Sequence, residues 1–409
     1  MNVGRAMLIA GAGEAGTAAA LTLRQEGWAG PVLLVSDETL WPYQRPPLSK
    51  STLIESDDLA PKPIVSKEQL ADANITALSG RAVCSIDRKV HRVRLSSGET
   101  VAYDRLLLAA GARPRTLGWP AHPRIKTLRT HADALGIREN IRRGAVVAVV
   151  GGGFIGLEVA ASAASLGASA IVLEAGPQIL MRAVPGNMAT IIRREHEAAG
   201  VRIETGVRPA AVRTVGNDVH LVLSNKRTLA ANLVVIGIGA TPNSDLAAQA
   251  GLRIDNGIAV DETLATSDPD IFAAGDCCSF PHALYAGRRL RLEAWRNARR
   301  QGTHAAANML GATEAYCDVP WFWSDQYDKT LQVAGICNPE DRIIQRCLGE
   351  SAQASVHLDS EGRLVAACAF GRLDAVAKEI RFAEKAIAKR VKPDIALISQ
   401  PDFSFRLLR

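Results

Sequence analysis

Three glycines and an acid carry the clearest chemistry in this 409-residue sequence. Gly151, Gly153 and Gly156 follow the apolar run Val146 to Val150 and lead into a helical stretch from Leu157 to Leu166. Glu174 closes a second apolar run, Ala170 to Leu173, 21 residues after Gly153. That spacing suits a dinucleotide: glycines allow a tight strand-to-helix turn, the helix start offers backbone N–H groups to a pyrophosphate, and the acid takes ribose hydroxyls. The pattern occurs twice. Met7 to Ala10 runs into Gly11, Gly13, Ala15 and Gly16, a small-residue helix follows from Thr17 to Arg24, and a strand Val32 to Val35 leads to Asp37, 24 residues after Gly13. One such turn is often no more than a turn; two, each strand-led, helix-followed and closed by an acid, point to two nucleotides.

The length allows roughly two to four domains with cores of their own. With 47% apolar and 22% charged residues, the composition is that of a folded globular protein. No apolar run approaches the roughly 20 residues of a membrane span, and the N-terminal run reads as a first strand, so a cytoplasmic location is expected.

After Asp37, the prolines Pro42, Pro46 and Pro47 impose an extended, stiff loop that presents Arg45 and Lys50 near the first nucleotide turn. This segment, Pro-Tyr-Gln-Arg-Pro-Pro-Leu-Ser-Lys over 42–50, precedes Gly-Gly-Gly-Phe-Ile-Gly-Leu-Glu over 151–158. The pair resembles the flavin-dependent ferredoxin reductases of aromatic-ring dioxygenase systems, related to putidaredoxin and rubredoxin reductases and, more distantly, to the apoptosis-inducing factors. The match runs to about residue 335, over three quarters of the sequence.

The resemblance implies an α/β fold of the glutathione-reductase-like plan, with two Rossmann-like dinucleotide-binding domains and a C-terminal α+β domain. The expected boundaries are 1–112 with 241–316 for a discontinuous FAD domain, 113–240 for an inserted NADH domain, and 317–409 for the tail. Carried over residue by residue, FAD is expected at Gly11, Gly13, Ala15, Gly16, Asp37, Arg45, Lys50, Val83, Arg129, Asp276 and Trp295. Val83, Arg129 and Asp276 rest on the resemblance alone. NADH is expected at Gly151, Gly153, Ile155, Gly156, Glu158, Glu174, Gly237 and Gly239. Lys50 matches the family's lysine beside the flavin and Glu158 its paired glutamate, the two residues expected to serve catalysis. In the family's Ala-Thr-Gly crossover, Ala110 replaces the threonine. Glu174 would meet a 2'-phosphate with like charge, and Ala175-Gly176-Pro177 brings no basic side chain, although Arg182 follows; NADH is therefore favoured over NADPH.

The net charge is +6, and six arginines (Arg288, Arg289, Arg291, Arg296, Arg299, Arg300) fall within 13 residues. No nucleic-acid-reading motif accompanies them, so an acidic protein partner is the better expectation, and the resemblance makes it a [2Fe-2S] ferredoxin. Arg296, Arg299 and Arg300, with Trp321 and Trp323 in the tail, are the candidate docking residues. The seven cysteines are scattered, with no pair or histidine cluster at metal-ligand spacing, and are read as structural thiols with no metal site. A flavin disulfide reductase would need a cysteine pair where Arg45 to Lys50 stands. Rubredoxin reductase, NADH oxidase and a redox-sensing interaction protein remain alternatives.

Overall fold

A computed structural model describes residues 6–55, 59–181, 183–216, 218–349, 352–400 and 403–408. The chain packs into two units, residues 1–44, 61–113 and 241–318 in one and 45–60, 114–240 and 319–409 in the other. The main helices are α1 (Glu14–Gln25), α2 (Phe154–Ser165), α3 (Gly186–Ala198), α4 (Trp295–Met309) and α5 (Leu373–Ala388).

In the first unit, the strands Ile75–Leu78, Val32–Val35, Ala6–Ala10, Thr100–Leu108 and Ile271–Ala273 lie side by side in parallel. The front half of Thr100–Leu108 also pairs antiparallel with Arg92–Leu95, which continues to Val83–Asp87. All five residues of Ala6–Ala10 are buried, as a parallel strand covered on both faces requires. Against this sheet, α1 crosses α4 with almost no space between backbones: a Cβ on Gly302 would stand 2.1 Å from the Ala15 carbonyl oxygen.

The second unit repeats the plan. Its parallel sheet runs Arg202–Thr205, Ser169–Glu174, Val146–Val150, Leu233–Ile236, Ile125–Thr127. A three-stranded antiparallel sheet, Pro209–Val215, Asp218–Leu223 and Thr228–Ala231, shares one apolar core with it, built on Val150, Leu173, Leu221 and Val234. The tail forms a five-stranded antiparallel sheet in the order Trp321–Gln326, Lys329–Gly335, Leu364–Gly371, Ala352–Leu358, Arg342–Cys347. Helix α5 lays Val376, Ile380, Ala383 and Ile387 inward, one residue per helical turn.

Both nucleotide-turn helices begin three residues before the sequence reading places them, at Glu14 and Phe154 rather than Thr17 and Leu157. The last glycine of each motif, Gly16 or Gly156, thus belongs to the helix. It is there for close packing: a Cβ would stand 1.9 Å from the Gly11 oxygen in the first copy and 2.2 Å from the Gly151 oxygen in the second.

Candidate functional site

The two glycine turns are near-copies in detail. Gly11 and Gly151 have φ +115° and +109°, and a Cβ on either would stand within 2.4 Å of a carbonyl oxygen, that of Ala109 or of Gly237. Sterics within the protein therefore require the first and third glycines of each motif. The second is different. Gly13 and Gly153 have ordinary φ of −74° and −83°, cap their helices without a side-chain hydrogen bond, and face open space where a Cβ would go. Nothing in the fold demands glycine there, so the bare backbone at a helix start suits an anion brought to van der Waals distance. Both cradles thus fit a dinucleotide pyrophosphate.

The acids differ between copies. Gly151 N donates to Leu173 O and Gly11 N to Val35 O, both at 2.8 Å, which puts Ser36, not Asp37, in register with Glu174. Glu174 is spread across its loop: Oε2 accepts from Gly152 N and Oε1 from Gly176 N, each at 2.7 Å. Arg182 lies outside the described residues. Gly237 N donates to Val150 O at 2.7 Å, and Gly239 has φ +101°, closing the turn opposite Gly151. Ile155 is exposed on the first turn of α2.

In the first unit, Glu14 begins α1, where burial raises its pKa despite the opposing Arg299 guanidinium 3.2 Å away. Arg299 also lies 5.7 Å from the Trp295 ring centroid. Asp276 follows Ile271–Ala273, its carbonyl accepting from Arg291 at 3.2 Å, and the preceding Gly275 N donates to Gln301 Oε1 at 2.9 Å. Gln301 is wholly buried and its Nε2 makes no hydrogen bond, a donor that a ligand beside this turn could use. Val83 begins an antiparallel strand opposite Leu95.

Among the clustered arginines, Arg289 donates to Ser279 O and Val260 O, and Arg291 to Asp276 O and Glu293 Oε1. Arg299 and Arg300 are exposed on α4, the latter 3.6 Å from Asp318. Arg296 is only half-exposed.

In the second unit, the stiff segment 45–50 meets α2. Pro46–Ser49 forms a 3-10 turn, from which Lys50 Nζ reaches to 3.0 Å from Glu158 Oε1. Glu158 is 3% exposed, so its carboxylate must be compensated inside the fold. Ser49 donates to Oε2 at 2.5 Å and Ser324 to Oε1 at 2.6 Å. Arg45 donates to the Arg129 carbonyl at 2.7 Å, and Arg129 N to Asp133 Oδ2 at 3.0 Å. Trp321 and Trp323 stack at 5.3 Å, with Lys50 Nζ 5.9 Å from the Trp323 centroid.

Ser49, Ser324 and Gln301 escaped the sequence reading. Ser49 lay inside a motif read for its charges. Ser324 and Gln326 could have been found as polar residues spaced two apart in a strand, on its buried face.

Two strand–glycine–helix cradles in one chain, with a buried lysine–glutamate pair at the helix of the second, define a two-nucleotide oxidoreductase. The chain belongs to the pyridine nucleotide-disulphide oxidoreductase family, which matches residues 5–302, and residues 321–409 match the reductase C-terminal domain. It is 38% identical over 400 residues to the ferredoxin–NAD(+) reductase component of the anthranilate 1,2-dioxygenase system of Burkholderia cepacia, covering 96% of this chain and 97% of the relative. It is 38% identical over 354 residues to putidaredoxin reductase CamA of Pseudomonas putida, 85% of this chain and 84% of that one. Among solved structures, the reductase in the covalent putidaredoxin reductase–putidaredoxin complex superposes with a TM-score of 0.93 at 34% identity, covering 100% of this chain and 98% of that one. The ferredoxin reductase of the CYP199A2 system from Rhodopseudomonas palustris gives 0.93 at 35% identity, with 99% of each chain covered. No described helix is long and apolar enough to cross a membrane.

Proposed function

We propose that this chain is a cytoplasmic NADH:ferredoxin oxidoreductase that binds FAD in the first cradle and NADH in the second and feeds a [2Fe-2S] ferredoxin of an aromatic-ring dioxygenase system. The observation that carries the reading is the pair Gly13 and Gly153, N-cap glycines that no steric demand of the fold requires and that the close approach of a pyrophosphate suits. FAD, when bound, supplies the step that the protein cannot make itself, taking a hydride from the nicotinamide and releasing the electrons one at a time.

The chain's own residues bind and orient. The starts of α1 and α2 face the two pyrophosphates with unsatisfied N–H groups. Glu174 takes the ribose hydroxyls of NADH and repels a 2'-phosphate, which supports NADH over NADPH. Lys50 is a fixed cation, held by Glu158 from one side and by the neighbouring Trp323 ring from another. Arg300 and its neighbours on α4 steer an acidic partner. The functional division follows the nucleotides: 1–112 with 241–316 for FAD, 113–240 for NADH, 317–409 for the tail.

The test is the visible spectrum of the purified protein. A flavin band bleached by NADH, less readily by NADPH, and restored within turnover time by an oxidised [2Fe-2S] ferredoxin is expected. A protein unable to take up FAD would end this reading. Fast bleaching with recovery by rubredoxin alone, or by no carrier, would shift it to a rubredoxin reductase or a redox sensor.

A further inference from the structure

The sequence offers no metal-ligand spacing, yet the tail sheet collects one set of ligand atoms that the reductase chemistry does not use. Ala366 pairs with Gly335 on one side and with His357 on the other. Cys368 is two residues beyond Ala366, on the same face of its strand, and Cys337 is two residues beyond Gly335. The Cys337 and Cys368 sulfurs and a His357 ring nitrogen thereby come within 4.8 Å of one another.

This cluster is built inside the fold. His357 is 1% exposed and Cys368 0%, and Cys337 is half-buried at the rim. Neither ring nitrogen of His357 has a hydrogen bond of good geometry, although a buried imidazole ordinarily finds two; its polar neighbours are Asp341 and the Cys337 thiol. Nδ1 stands 3.3 Å from Asp341 Oδ2, an oxygen already fixed by the Asn338 N–H at 2.8 Å. A carboxylate behind one nitrogen, with the other left for a ligand, is the support that metal-binding histidines receive.

We propose that Cys337, His357 and Cys368 bind a thiophilic divalent cation, zinc before others, which clips the segment after strand Lys329–Gly335 onto the sheet, with Asp341 orienting the histidine. Two thiolates and an imidazole are a soft set suited to tetrahedral Zn²⁺, and a water entering beside Cys337 completes the four. Sulfur and nitrogen ligands about 2.0–2.3 Å from a common ion stand roughly 3.3–3.8 Å apart, so loading draws the three ligand atoms inward from their present separation of up to 4.8 Å. Thiols bind such a cation as thiolates, so loading releases their protons to solvent and changes no oxidation state.

The test uses the intact flavoprotein, reduced, freed of reductant and given CoCl₂ or ZnCl₂ alone before desalting. Elemental analysis is expected to find about one equivalent of metal per chain, and the cobalt form is expected to show tetrahedral ligand-field bands to the red of the flavin absorption. Cys337→Ser, at the half-buried rim where folding is least at risk, and His357→Gln are each expected to weaken retention at least tenfold while NADH consumption is unchanged. Replacing the exposed Cys84 and Cys347 by alanine is expected to leave retention intact. No retained metal in the wild type, retention undiminished in Cys337→Ser, or a Cys337–Cys368 disulfide that excludes cobalt would overturn the proposal.

Discussion

Lys50 Nζ lies 3.0 Å from Glu158 Oε1, and Glu158 is the more deeply buried partner, 3% exposed against 22% for the lysine side chain. The asymmetry means that solvent can partly compensate Lys50 but not Glu158. Ser49 and Ser324 supply what solvent cannot, each donating to a different carboxylate oxygen. Removing Lys50 therefore leaves a buried anion with two hydroxyl donors, whereas removing Glu158 leaves a cation with partial access to water.

Glu158→Gln is expected to slow flavin reduction by NADH about tenfold to hundredfold, a barrier increase of about 1.4–2.8 kcal/mol, while FAD remains bound. Lys50→Met should do the same, and the double variant should lose less than the sum because one pair is removed twice. Stopped-flow reduction under excess NADH reads all three. An unchanged rate in Glu158→Gln would make the glutamate a packing residue at a helix start.

Glu174 accepts amide hydrogen bonds from Gly152 and Gly176, and in the function proposed above it is the residue that chooses the coenzyme. The side chain braces the loop on which the ribose would rest. Glu174→Ala is expected to raise the KM for NADH about tenfold or more and to bring the NADH to NADPH ratio of kcat/KM towards unity, without creating strong NADPH use, since no cation takes the acid's place. Steady-state kinetics with both coenzymes measure it. A preference for NADH that survives intact would place the discrimination elsewhere.

How much of this was legible in the sequence depends on the distance over which each feature acts. The glycine turns, the hairpins at Ser96–Glu99 and Asp359–Gly362 and helix α5 are local, and their residues announce them. The helix starts were misread by three residues because Gly16 and Gly156 look like turn residues when they are close-packed helical ones. Ser324 donates to Glu158 across 166 residues of sequence, and Cys337, His357 and Cys368 meet only through strand register. Strand spacing can mark Ser324 as inward-facing, but which residue it meets, and that the three possible ligands meet at all, leaves no local trace. The arginine run read as one basic face, yet Arg289 and Arg291 also reach backbone carbonyls and nearby acids of their own unit, which composition cannot reveal.

That partition sharpens the docking test. Arg299 faces Glu14, so its removal would disturb the first nucleotide turn as well as the surface. Arg300 is the cleaner probe, 65% exposed and 3.6 Å from the half-exposed Asp318. Arg300→Glu is expected to slow ferredoxin reduction about tenfold at low salt and to flatten its salt dependence, leaving hydride uptake from NADH unchanged. Equal salt sensitivity of both half-reactions in the wild type would remove the basis for electrostatic docking on α4.

Acid stability is tied to His196 on α3. Burial is the main cause lowering its pKa from 6.5, with the Gln326 hydrogen bond and Glu195 opposing. Gln326 Nε2 donates to Ser324, which turns Gln326 Oε1 towards the histidine; Nε2–H then donates to that oxygen at 3.0 Å, and Nδ1 accepts from the Tyr327 hydroxyl at 2.9 Å. The folded state thus holds a neutral ring in a chain of donors that ends on Glu158. Below pH 6.5 the unfolded chain takes a proton that the folded chain refuses, so this contribution to stability is complete above 6.5 and is lost as the pH falls, until the folded value is passed. His282, also lowered by burial, acts in the same sense, so the wild type alone cannot isolate His196. His196→Gln keeps an amide donor near the Nε2 position and removes the titration. Its stability, followed by thermal melts from pH 8 to about pH 5, should fall less steeply than that of the wild type, by up to about 1.4 kcal/mol per pH unit, the value for one proton. Parallel curves for the two proteins would show that His196 takes up its proton equally well in the folded state.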